Sequence, residues 1–144
     1  MRSGILLDTG PLVAYLYTRD AYHDWAVETF STLDPPAITC EAVLTEACFL
    51  IARNGQPAAR VLDHASHGEF EIALRLDREM AAVRALMERY ANVPMSLADA
   101  CLVRLAEISG LPIRTLDADF SIYRTHRHRS LTLITPDRRS LHEV

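Results

Sequence analysis

Lysine is absent from this chain: all 15 of its basic residues are arginine. Codon bias alone produces such a composition, but any mechanism that requires a lysine is excluded. Cysteine is sparse. Cys40, Cys48 and Cys101 are odd in number, lie in apolar sequence and form no C-x-x-C pair, which predicts reduced core thiols rather than a disulfide or zinc site. No apolar run approaches the roughly 20 residues a membrane helix needs, so no membrane association is expected. Asp8 cuts the first apolar stretch too early for a signal peptide, and the expected location is cytoplasmic. Positive charge is in deficit as well: the net charge of −4 argues against broad nucleic-acid binding through a basic surface. Phosphate recognition would have to be local. Of the six histidines, His64/His67 and His126/His128 form close pairs, but no second ligand pair follows, so they read as solvated surface.

What is present is a chain of 144 residues and 49% hydrophobic content, enough for one domain over 1–144 with a real core. A short apolar run at 4–8, closed by Thr9-Gly10-Pro11, reads as a buried strand and a turn. Pro11 suits the first turn of a helix through residue 16. Further helices are predicted over 23–33, 41–53, 56–66, 77–90 and 96–109, with Gly110 as a natural stop. In the helix over 77–90, Met80, Val83, Leu86 and Met87 share one predicted apolar side. Strand-like segments fall at 37–39, 70–74, 112–115 and 131–135. Strands alternating with helices imply an α/β sandwich with a largely parallel sheet of about five strands. In such sheets the functional crevice lies beyond the carboxyl ends of the strands.

Four acids sit where acids are costly. Asp8 ends Ile5-Leu6-Leu7, and Glu46 interrupts the apolar stretch 42–51. Asp99 lies within Leu97-Ala98-Asp99-Ala100-Cys101-Leu102-Val103, and Asp117 follows Thr115-Leu116. A buried carboxylate needs a partner, a hydrogen bond or a metal. The element order places Asp8 and Asp117 at strand ends. It places Glu46 and Asp99 in early helical turns facing the same rim.

Each acid also has a structural reading. Ser96-x-x-Asp99 resembles a capping box. Asp8 and Asp117 suit turns, and Asp119 lies in the same turn as Asp117. Glu46 is harder to explain that way, because its helical neighbours Ala42, Val43, Phe49 and Leu50 are apolar, whereas Glu41 at the helix start suits the helix dipole. Jointly the four ask for a cation. Two carboxylates about 4 Å apart repel by about 4 kcal/mol at an effective dielectric near 20, and all-oxygen donors select Mg²⁺ or Mn²⁺.

The segments Leu6-Leu7-Asp8-Thr9-Gly10-Pro11-Leu12-Val13-Ala14, Val43-Leu44-Thr45-Glu46-Ala47, Leu97-Ala98-Asp99-Ala100-Cys101-Leu102 and Thr115-Leu116-Asp117-Ala118-Asp119-Phe120 resemble the four acidic motifs of PIN domains. The resemblance is closest to the small VapC-type toxins of prokaryotic toxin–antitoxin modules, and covers essentially the whole chain in the right order. It implies a three-layer α/β/α sandwich and a metal-dependent endoribonuclease acting on structured RNA. Asp8, Glu46, Asp99 and Asp117 would be the catalytic metal ligands, with Asp119 as an auxiliary acid. Thr9 and Thr115 would be hydroxyl ligands or donors to the ligands. The cofactor would be one or two Mg²⁺ ions, with Mn²⁺ as a substitute, and the products would carry 5′-phosphate and 3′-hydroxyl ends. A homodimer and a small antitoxin covering the active site are implied too.

RNA requires positive charge near that acidic rim. Arg124, Arg127 and Arg129, in the densest basic run of the chain, are phosphate-binding candidates; the same run reads equally as a solvated loop. Rival α/β enzymes with acids at strand ends fail on missing residues. A receiver domain needs a lysine, and a haloacid-dehalogenase-type phosphatase needs a lysine and an aspartate where Gly10 stands. A P-loop lacks its Gly-Lys-Ser/Thr. Two other uses of the same fold stay open: a catalytically silent PIN-like binding module, and a housekeeping nuclease without an antitoxin.

Overall fold

Leu6 and Leu7 are successive residues of one strand, and both are completely buried. Neighbouring strand side chains point to opposite faces, so this sheet is covered on both sides. The computed structural model describes residues 4–31, 36–125 and 128–136. The elements run β1 (Leu6–Leu7), α1 (Thr9–Leu16), α2 (His23–Ser31), β2 (Ala37–Thr39), α3 (Glu41–Arg53), α4 (Ala59–Ser66) and β3 (Phe70–Ile72). They continue with α5 (Leu76–Arg89), α6 (Leu97–Ser109), β4 (Ile113–Arg114), a 3-10 turn (Ala118–Ser121) and β5 (Leu133–Ile134). The five strands order β3-β2-β1-β4-β5, and every pairing is parallel. The expected three-layer α/β/α architecture is present, with six helices flanking the sheet among the described residues.

The strand order decides where a site can form. The chain lays β1, β2 and β3 outward in one direction, then crosses back to place β4 on the other side of β1. The loops leaving β1 and β4 consequently diverge and leave a crevice, the topological switch point of an open α/β sheet. Asp8 leaves β1 there, and Thr115 and Asp117 leave β4. The two ends are joined by the Asp8 N–H donating to the Arg114 carbonyl at 3.0 Å.

The helices form for local reasons that also aim the acids. Asp8 caps α1 and accepts the Thr9 N–H on its side chain, while Pro11 sits in the first turn, where a missing N–H has no helical partner to lose. Ser96 and Asp99 make a reciprocal capping box at the start of α6, and Gly110 closes that helix in the left-handed region at φ 72°. Helix α6 is buried on most sides, with Leu102 and Val103 fully enclosed. Each such side chain contributes about 1.5–3 kcal/mol through burial.

Several sequence expectations shift. Helix α4 starts at Ala59 rather than 56, and β3 stops at Ile72 because Leu74 takes a positive φ of 81° that ends the strand. On α5 only Val83 and Leu86 are buried, whereas Met80 and Met87 are 55% and 37% exposed. The helix is turned so that the methionines flank its packed stripe. Phe49 is 64% exposed, so Glu46 lies at the margin of the α3 core stripe, not within it. His64 is no solvated residue: its Nδ1 pairs with Glu69, whose other oxygen accepts the Tyr15 hydroxyl at 2.7 Å. His126 lies outside the described residues. The three cysteines are free, and Cys40 and Cys101 are buried. Arg114 is buried, stacks 5.8 Å over the Trp25 ring, and leaves Nε and Nη1 without a hydrogen-bond partner among the described residues. Among the described residues no helix is long and apolar enough to cross a membrane.

Candidate active site

Asp8 stands at the base of the crevice, 5% exposed. Its Oδ1 accepts the Thr9 N–H at 2.8 Å and its Oδ2 accepts the Thr115 hydroxyl at 2.7 Å. Burial nevertheless pushes its carboxyl up to about 7, and the charges of Asp99 and Asp117 add to that push against the two hydrogen bonds. Asp99 is 8% exposed. Its pKa is likewise raised by burial, with the Ser96 N–H and the Tyr123 hydroxyl opposing. Glu46, half-buried on α3, accepts the Thr9 hydroxyl on Oε2 at 3.0 Å. Asp117 is exposed at the mouth, and its N–H donates to Thr115 Oγ1 at 2.9 Å.

These four carboxylates come from four separate segments and line one hollow of about 260 Å³, together with Thr9, Gly10, Leu50 and Leu116. Size does not single it out. A hollow of about 340 Å³ between Leu16 and Arg60 has Arg19 and Arg60 in its wall and no acid. What distinguishes the smaller one is uncompensated negative charge. No described arginine or histidine pairs with any of the four acids. Gly10 allows close approach: a Cβ there would meet Leu116 Cβ at 3.2 Å, so α1 and the segment after β4 touch at the hollow's wall.

The remaining predicted residues divide. Thr9 and Thr115 each donate a hydroxyl to an acid of the hollow, Glu46 and Asp8 respectively. The Asp119 N–H donates to the capping Asp117 Oδ1 at 2.9 Å, but Asp119 does not line the hollow. Arg124 turns inward, with Nη1 donating to the carbonyls of Ser121, Ile122 and Tyr123, so this atom closes the 3-10 turn. Arg129 is exposed, and its neighbour Ser130 makes an isolated antiparallel bridge with Arg124. Arg127 lies outside the described residues. Sequence reasoning missed Tyr123, whose hydroxyl donates to Asp99 Oδ2 at 3.1 Å. Its one signal was the spacing Phe120-x-x-Tyr123 beside an acidic motif.

The donor set suits a hard divalent ion: all oxygen, anionic, and partly desolvated. Among the described residues no three acidic, histidine or cysteine side chains stand close enough to ring one ion directly. The arrangement therefore fits an ion held by few carboxylates and several waters, which is how Mg²⁺ is usually bound.

A PIN-domain family profile matches residues 5–144. The chain belongs to the PIN-domain family. Among solved structures, this PIN domain is similar to VapC20 of Mycobacterium tuberculosis, a sarcin-ricin loop cleaving toxin. The TM-score is 0.74 and the identity 22%, over 83% of this chain and 94% of that one. At that identity the likeness is one of fold. No curated protein sequence matches the chain.

Proposed function

We propose that this PIN domain, acting as one unit over 1–144, is a metal-dependent endoribonuclease of the VapC type that hydrolyses RNA phosphodiester bonds. The observation that carries the reading is the convergence of Asp8, Glu46, Asp99 and Asp117 on one hollow at the sheet's switch point. No described arginine or histidine pairs with these acids, so a cation is the natural partner for their charge. Mg²⁺, or Mn²⁺ in its place, held by these carboxylates would neutralise the scissile phosphate and lower the pKa of a bound water.

The chain's own residues divide the remaining work. Asp8 and Asp99, low in the hollow and hydrogen-bonded from behind, offer fixed oxygens. Glu46, held by Thr9, closes one side. Asp117 at the mouth meets incoming substrate, oriented by the Asp119 N–H and by its own bond to Thr115. The chain has no lysine, and among the described residues no histidine lines the hollow to serve as a general base. The negative rim repels RNA until a cation is bound, so substrate binding and metal binding are coupled.

The biological reading is a cytoplasmic toxin that works as a homodimer and is restrained by a small antitoxin covering the hollow. The fold neighbour's substrate makes an RNA carrying the sarcin-ricin loop the first to try. Purified protein, incubated with a panel of structured RNAs in Mg²⁺ or in EDTA, should cleave only with Mg²⁺, and Asp8→Asn should abolish cleavage. Failure to cleave any RNA would instead mark a silent binding module. Growth arrest on expression, relieved by a small neighbouring reading frame, tests the toxin role; cleavage without arrest would mark a housekeeping nuclease.

A further inference from the structure

Tyr123 is fully buried, and a buried tyrosine hydroxyl must find an acceptor. It finds Asp99 Oδ2 at 3.1 Å, 24 residues back along the chain. The ring carrying that hydroxyl has little freedom. It meets the edge of Phe120 at 5.3 Å between centroids and 80° between planes, and of Tyr90 at 5.1 Å and 62°. Tyr90 is itself tied by accepting the Arg124 N–H at 2.7 Å.

Asp99 Oδ2 also accepts the Ser96 N–H at 3.3 Å from the capping box. Two donors from different segments thus occupy the same oxygen, and no hydrogen bond among the described residues engages Oδ1. Asp99 lines the acidic hollow. The capping box alone gives that oxygen one donor, and the Tyr123 hydroxyl adds a second from another segment. The choice of a phenol matters for charge. A phenol ionises only near pH 10, so Tyr123 is a neutral donor. A neutral donor orients the carboxylate without cancelling its charge, where an arginine at this place would compete with a cation.

We propose that Tyr123 is a positioning residue for the cation site: its hydroxyl holds Asp99 by Oδ2 and so presents Oδ1 to the ion. This rests on the reading of the hollow as a divalent-metal site. Partners behind a metal ligand typically change affinity by about 10–100-fold when removed, and Tyr123 falls in that class.

Mn²⁺ binding to the full chain, followed by electron paramagnetic resonance without RNA, tests it. Tyr123→Phe removes one oxygen and keeps the ring. It should weaken Mn²⁺ binding about tenfold or more and shift the Mg²⁺ dependence of cleavage to higher concentration with the same plateau. Tyr90→Phe removes a hydroxyl from the same aromatic stack without touching Asp99, and should leave Mn²⁺ affinity within about twofold. Equal Mn²⁺ affinity in wild type and folded Tyr123→Phe overturns the inference, as does an equal loss in Tyr90→Phe, which would mark the effect as packing. If wild type binds no Mn²⁺, the metal reading itself fails. Should Tyr123→Phe not fold, wild type labelled with ¹³C at tyrosine Cζ decides: one tyrosine resonance moves on Mg²⁺ saturation and stays put in Asp99→Asn. No movement in wild type overturns the proposal.

Discussion

Thr115 Oγ1 donates to Asp8 Oδ2 at 2.7 Å and accepts the Asp117 N–H at 2.9 Å, so one buried hydroxyl ties together the two acids that follow strands β1 and β4. Thr115 and Asp8, joined by the first of these bonds, are 107 positions apart in the chain. The hydroxyl lowers the Asp8 pKa against burial, and it sets the direction of Asp117 at the mouth.

Thr115→Val keeps the shape and removes both bonds. It leaves a buried carboxylate oxygen and a backbone N–H unpaired, at about 1–3 kcal/mol, and should reduce cleavage about 10–100-fold. Thr115→Ser should restore most of the loss. Denaturant melts and single-turnover rates on the three proteins check this; a valine variant as active as wild type would remove Thr115 from the site.

The raised Asp8 pKa makes a pH prediction. Between about 4 and 7 the metal-free folded protein keeps a proton on Asp8 that the unfolded chain has released. The folded state binds more protons in that window, so this contribution to stability is present below it and is lost as pH rises through it. The change amounts to a few kcal/mol, since each tenfold difference in proton affinity is worth about 1.4 kcal/mol. Asp99 is displaced in the same direction. In EDTA, the melting temperature of wild type should fall more steeply from pH 4 to 7 than that of Asp8→Asn, and Mg²⁺ at pH 7.5 should raise only the wild-type value. Parallel pH profiles would show that Asp8 is ionised throughout.

Gly10→Ala separates stability from activity. The substitution gains about 1 kcal/mol of helix propensity in α1, but its Cβ presses on Leu116 Cβ at 3.2 Å. Leu116 directly precedes Asp117, so the strain reaches the mouth of the hollow. Folding stability should stay within about 1 kcal/mol of wild type while cleavage falls several-fold. An unchanged rate would mean that Leu116 yields without moving the acid.

The two described arginines of the basic run should behave differently. Arg129 is exposed, and its replacement by Ala should reduce the slope of RNA affinity against salt by about 1 without altering stability. Arg124, whose Nη1 closes the 3-10 turn, should lower the melting temperature when replaced. Filter binding across a salt series, paired with calorimetry, distinguishes the two; a salt slope unmoved by Arg129→Ala would exclude phosphate contact there.

Much of the fold is legible in the sequence. The apolar runs bounded by turn residues locate all five strands to within two or three residues, because buried strands write a local pattern. The capping box at Ser96 and Asp99 is legible for the same reason: its partners are three residues apart. Its structural and site-lining roles prove compatible, since the cap uses Oδ2 while the side chain still borders the hollow. The exposure of Met80 and Met87 is not legible. Helical periodicity says which residues share a side, but the neighbouring α6 decides how far that side is turned inward.

The sequence by itself determined the alternation of strands and helices, the absence of lysine chemistry, and the identity of four acids too costly to bury singly. These follow from short-range periodicity, turn chemistry and the energetics of one charge. Only the tertiary structure decided that Asp119 stays outside the hollow, that Arg124 turns inward, and that Tyr123 reaches Asp99. Those outcomes depend on where the sheet's reversal brings distant segments together, and hydrogen bonds spanning 24, 37 and 107 residues leave no local pattern to read.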